Sequence, residues 1–183
     1  MPRPSDDDWI PLAAVGRPHG VRGELRVHPF NRDSALLLEL EEVLVRFPAG
    51  GERAGEEHEV SIDGARRTTD AILLRLHGVD SREGAEAARG ALLCARRGDF
   101  PPAEDGEFYA CDVEGAEVVD ATGAKIGVVK EMSSYPSVDI FVVGVEGGFL
   151  EVPIVDAFVE SVDVVAGRVV LRTTEGLEKT SAR

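Results

Sequence analysis

Residues 16–27, GRPHGVRGELRV, crowd Gly16, Gly20 and Gly23 around Pro18 and His19. Glycines at that density suit two structures: a loop that cradles a phosphate, or the tight opening corner of a small β-barrel. A dinucleotide loop needs G-x-G-x-x-G between a strand and a helix, so that the helix N-terminus faces the phosphate. Here the glycines lead into Glu24-Leu25-Arg26-Val27-His28, which alternates with period two and reads as a strand. No G-K-[ST] follows for a P-loop. The glycines therefore read as structural, allowing corners and close strand approach, with Pro18 stiffening the turn.

Other chemistry-bearing residues lack the spacing their chemistry requires. His19, His28, His58 and His77 stand apart from one another and from the cysteines, so no metal site is read. Cys94 lies among apolar neighbours and reads as core, and Cys111 follows a loop; two unbridged thiols in a cytoplasmic protein are expected. No G-x-S-x-G elbow is present. Asp120, Asp139, Asp156 and Asp163 sit beside turns or strand ends, where Asp ordinarily forms turns. No catalytic residue and no cofactor is assigned. Two surface features remain. Arg17, Arg22, Arg26 and Arg32, with His19 and His28, gather around the glycine loop; their forks suit phosphate, and Arg66-Arg67 would extend the patch. The alternative is solvated arginines paired with Glu24 and Asp33. Phe108 and Tyr109 form an adjacent aromatic pair, read as a strand with one ring inward as an anchor and one outward as a binding hot spot. Docking of both rings between domains is the competing reading.

Positioning these residues falls mostly to strands. WIPLAAVG is a short apolar run ending at Gly16, GELRVHPF alternates, and EVLVRF, EVSIDGARRT, DAILLRLHGV and ALLCARR read as further strands. GGERAGEEHEV reads as a polar hairpin loop. SALLLEL reads as a short helix or turn with Ser34 as N-cap. DSREGAEAARG reads as a helix capped by Asp80 or Ser81 and ended by Gly90. GDFPPAEDGE, residues 98–107, packs prolines, glycines and acids too densely for a folded element and reads as a linker. Beyond it, CDVEGAEVVDATGAKIGVVKEMS reads as strand, turn, strand, followed by hairpins turning at Gly147-Gly148 and Ala166-Gly167. The expected fold is mainly β: two small β-barrel domains at 9–98 and 107–178, joined by a linker at 99–106.

Charge sorts the functions. The 183 residues carry a net charge of -14, unevenly distributed. Residues 1–98 hold 14 Lys+Arg against 17 Asp+Glu, a balance of -3, and residues 99–183 hold 6 against 17, a balance of -11. Affinity for nucleic acid comes from cations that neutralise phosphates, so the second half is poorly suited to bare RNA and well suited to a basic partner. No apolar run approaches the ~18 residues that span a bilayer, and MPRPSDDDWI has no signal-like apolar core. Three classes stay open on residues alone: an assembly or binding protein, a nucleotide-binding β-barrel enzyme, and a standalone RNA-binding module.

VGRPHGVRGELRVHPF resembles the opening signature of the RimM family of ribosome maturation factors. DSREGAEAARGALLCARR, EFYACDVEGAEVVDATGAKIGVVKEM, VDIFVV and LEVPIVDAFVESVDVVAGRVVL are similar to its later motifs, in the same order, over about residues 9–177. The resemblance implies a six-stranded, translation-protein-like N-terminal barrel and a C-terminal PRC-barrel. It implies a non-enzymatic, cytoplasmic, monomeric factor. Its partners would be small-subunit ribosomal protein nineteen in the head of the immature small (30S) subunit and the 16S rRNA there, whose 3′ domain it helps to fold. By position, Gly16, His19, Gly20, Arg22, Gly23 and Glu24 fall on the family signature, and Phe108 and Tyr109 on its aromatic pair. Phe108 stands where Tyr is frequent, and Val138 precedes Asp139 where Asn is frequent.

Overall fold

The computed structural model describes residues 3–104 and 106–181. The chain divides into two compact units, Ser5–Pro101 and the residues from Pro102 onward together with those before Ser5. Each has its own apolar core.

The first unit is a closed six-stranded barrel. Its strands are β1 (Trp9–His19), β2 (Glu24–Pro29), β3 (Glu42–Arg46), β4 (Glu57–Arg67), β5 (Ile72–Leu76) and β6 (Leu92–Arg96), in the order β1-β2-β5-β4-β3-β6, and β6 pairs back onto β1. Alternation builds the core. Leu25 and Val27, Val43 and Val45, and Ile72 and Leu74 point inward and are buried, while Glu24, Arg26 and His28 face out. Helix α1 (Leu36–Glu39) is a single turn, and α2 (Arg82–Ala87) packs on β1 and β2. Ser81 caps α2, its Oγ accepting from the Gly84 N–H at 3.1 Å. Ala85 and Ala88 are small enough to enter the barrel core.

Three sequence expectations shift here. β1 does not end at Gly16 but runs to His19 through an irregularity between Val15 and Pro18. β4 starts at Glu57, inside the stretch expected to be loop, because its N-terminal half pairs with β3. Ala35, not Ser34, is the N-cap of α1; the Ser34 Oγ instead accepts from the Leu36 N–H at 3.2 Å.

The second unit opens with a helical turn, α3 (Ala110–Val113), where a strand was expected. The strands β7 (Glu117–Asp120), β8 (Lys125–Ser134), β9 (Asp139–Val145), β10 (Gly148–Pro153), β11 (Val159–Asp163), β12 (Arg168–Leu171) and β13 (Lys179–Ser181) follow. They form a seven-stranded sheet, β11-β12-β7-β8-β9-β10-β13, antiparallel except for the β7–β12 pair. Val113, Val118, Val129, Phe141, Val143 and Val169 fill the core. The β7–β8 turn is built by Asp120, whose carboxylate accepts from the Thr122 hydroxyl (2.6 Å) and the Thr122 and Ala124 N–H groups (2.8 and 2.9 Å). These bonds, led by the Thr122 hydroxyl, hold the Asp120 carboxyl below its ordinary pKa.

Candidate functional site

The glycine-rich segment forms the turn between β1 and β2. Gly23 is buried in it with φ +78°, and a Cβ there would lie 1.9 Å from the Val79 carbonyl oxygen. The chain entering α2 thus crosses directly against the start of β2. Gly16 serves β2's outer face: a Cβ on it would meet the His28 imidazole at 2.8 Å. The turn therefore packs backbone on backbone, and β2, not a helix, follows it.

The arginines of this region are spread along β2. Arg17 and Arg22 are exposed at its N-terminal end with His19; Arg26 is half-buried in its middle, and Arg32 is exposed beyond its C-terminal end. Glu24 pairs with Arg66 at 3.3 Å, and Arg26 pairs with Asp70, so the alternative of arginines paired with carboxylates holds in part, with Asp70 and not Asp33 as the second partner. The Arg26 guanidinium holds the Asp70 carboxyl below its ordinary pKa. Among the described residues no carboxylate pairs with Arg17, Arg22 or Arg32. Leu73 of β5 faces outward yet is buried, registered between Arg26 and Arg66, where arginine stems cover apolar surface. Arg66 lies on this face; Arg67, the next residue of β4, instead donates to the carbonyls of Arg32 (2.6 Å) and Ser34 (2.5 Å) beyond the end of β2. The face β2-β5-β4 is thus an arginine-rich surface on a chain that is acidic elsewhere. Sequence spacing could not reveal the Arg26–Asp70 and Arg67–Arg32 contacts, which join residues 44 and 35 positions apart.

Phe108 and Tyr109 precede α3 in a loop instead of alternating in a strand, and Tyr109 is the N-cap of α3. Phe108 is half-buried, packs on the second core and stacks on Phe141 at 5.9 Å between centroids and 24° between planes. Tyr109 is half-buried. Next to them, Asp112 is buried and receives the Arg3 guanidinium at 3.3 Å. The Glu114 carboxyl is pushed up by burial and, second, by the like charge of Glu131.

Cys94 is buried in β6 and Cys111 half-buried in α3, both as reduced thiols; burial raises the pKa of Cys94. His77 lies 3.5 Å from Asp63, and His58 stacks on Phe47. Among the described residues no three His, Cys, Asp or Glu side chains converge as metal ligands. No helix among them is long and apolar enough to cross a membrane.

Comparison with known proteins agrees with this architecture. Residues 10–100 match the RimM N-terminal domain, and residues 110–177 match the RimM PRC barrel domain. A ribosome maturation factor RimM from Sorangium cellulosum is 44% identical over 170 residues, which cover 92% of this chain and 97% of the relative. One from Rhodopseudomonas palustris is 35% identical, covering 93% of each. The crystal structure of a 16S ribosomal RNA processing protein RimM from Pseudomonas aeruginosa covers 91% of this chain and 98% of its own, at 22% identity and a TM-score of 0.46. With both domain models matched in order and relatives above 30% identity along almost its whole length, this chain belongs to the RimM family of ribosome maturation factors.

Proposed function

We propose that this chain is a non-enzymatic assembly factor that docks on the head of the immature small ribosomal subunit. Its acidic second unit holds a basic head protein, small-subunit ribosomal protein nineteen, with the Phe108-Tyr109 segment at or beside the contact. The arginine face of the first unit (Arg17, Arg22 and Arg26 around the turn formed by His19, Gly20 and Gly23) meets adjoining 16S rRNA. The factor works as a cytoplasmic monomer. It favours a native-like 3′ domain only to the extent that it binds that conformation more tightly than its competitors.

The observation that carries this reading is the division of charge. A balance of -11 lies beyond residue 98, while Arg17, Arg22 and Arg32, which pair with no carboxylate among the described residues, flank β2. One surface repels phosphate and attracts cationic protein; the other does the reverse. Family membership supplies the setting in which both kinds of partner occur together.

The test is a pull-down of the full chain with immature small subunits and, separately, with isolated head proteins. Capture of protein nineteen by the full chain is expected, as is retention on immature but not mature subunits. Failure to bind immature subunits, or clear thermal stabilisation by a nucleotide instead, would overturn the reading.

A further inference from the structure

We infer that the C-terminal end of β2 carries a subsite for one unstacked nucleotide of single-stranded RNA, with Phe30 as the stacking surface and Arg32 as the phosphate contact. This rests on the reading of the β2 face as an RNA surface, and adds to it a residue that no feature of the glycine segment suggests.

Phe30 is a large apolar side chain left 61% exposed just past the end of β2. Its backbone is not loose: its N–H donates to the Leu12 carbonyl at 2.9 Å, which continues the β1–β2 ladder one residue past Pro29. By strand alternation Phe30 shares the outer face of Arg26 and His28. Beside it is a shallow cleft lined by His28, Arg32, Arg67, Thr68, Thr69 and Asp70. Asp70 is its only lining carboxylate and is already held by Arg26. Arg67 is spent on the loop, donating to the Arg32 and Ser34 carbonyls, while the Asn31 side chain accepts from the Asp33 N–H at 3.0 Å. That scaffolding fixes the Arg32 backbone and leaves the Arg32 side chain without a carboxylate partner among the described residues.

The occupant follows from the chemistry. An exposed ring on a held backbone offers a face on which any base stacks, and a guanidinium nearby in the chain, without a carboxylate partner among the described residues, offers a fork for the neighbouring phosphate. The threonine hydroxyls at the cleft suit sugar or phosphate oxygens. A basic protein would meet the cations of Arg32 and Arg67 unfavourably, so charge selects the polyanion.

The experiment uses the full chain bound to immature small subunits. The complex is irradiated with ultraviolet light, digested with trypsin, and searched for RNA adducts. Cleavage after Arg26 and Arg32 isolates residues 27–32 as one peptide, and a nucleotide adduct on it is expected. In parallel, Phe30→Ala is expected to melt like the parent, because the ring is mostly exposed, and to bind immature subunits roughly 10-fold more weakly. Phe30→Trp is expected to restore binding, and Arg32→Ala to weaken it and flatten its salt dependence. Equal retention of parent and Phe30→Ala with no adduct on that peptide would overturn the inference while leaving the assembly-factor reading intact. A cross-link from residues 27–32 to a ribosomal protein would overturn it in favour of a protein contact. If the parent chain itself ignored immature subunits, the functional reading would fall first and this subsite with it.

Discussion

At Gly23 the missing Cβ is a steric requirement and not merely a source of freedom. Its φ of +78° already disfavours any L side chain, and the Val79 carbonyl oxygen occupies the place a Cβ would take, 1.9 Å away. Gly20, in the same turn, has a φ of +68° but nothing within 4 Å of a built Cβ. The two positions separate backbone strain from collision. Gly20→Ala is expected to cost about 1 kcal/mol, the price of the left-handed backbone alone. Gly23→Ala adds displacement of a backbone segment that leads into α2, and about 3 kcal/mol or more is expected. Trp9 is the single tryptophan and lies in β1, so its fluorescence in urea reports the first unit specifically. Equal unfolding midpoints for the two variants would show that the Val79 segment yields freely and that Gly23 is not a packing constraint.

The short helical turn α3 illustrates what elements owe to tertiary contact. Four residues cannot display a helical period, and Ala110–Val113 reads equally well as strand. What holds the turn is its surroundings: Val113 is fully buried, and Phe108 just before it stacks on Phe141 of β9. Removing that ring by Phe108→Ala is expected to destabilise the second unit by about 2–3 kcal/mol, less than a fully buried phenylalanine because Phe108 is half-exposed. Phe108→Leu should recover most of the loss. Both tyrosines, Tyr109 and Tyr135, lie in this unit, and their signal checks the outcome. An unchanged midpoint for Phe108→Ala would free Phe108 for a binding role and remove it from the core. The same contrast between local and distant information decides what the sequence revealed. β2, β3, β5 and the hairpins at Gly147 and Gly167 were legible, because alternation and turn chemistry are written within about ten residues. The parallel β7–β12 pair, the β13 edge and the neutralisation of Arg26 by Asp70 were not, because each depends on residues brought together from far along the chain. Phe30 was missed for a related reason: alternation puts it on the outer face with Arg26 and His28, but nothing nearby in the sequence shows whether another segment covers it, and the structure leaves it exposed.

Across the whole molecule, the excess of negative charge should act on folding and on association with opposite sign. A net charge of -14, with most of it beyond residue 98, repels itself in the compact state. Going from about 0.1 M to about 1 M sodium chloride shortens the screening length from roughly 10 Å to roughly 3 Å. Self-repulsion fades, so the melting temperature of the second unit is expected to rise. Attraction between that unit and a cationic ribosomal protein fades as well, so its affinity is expected to fall over the same range. Apolar packing, by contrast, would leave affinity nearly constant or strengthen it with salt. Calorimetric melting and titration binding, run on one preparation at matched salt, give the two slopes. Opposite slopes tie the acidity to partner capture; a stability that rises while affinity stays flat would mean that the acidic surface serves solubility, and that the proposed contact with a head protein rests on apolar side chains instead.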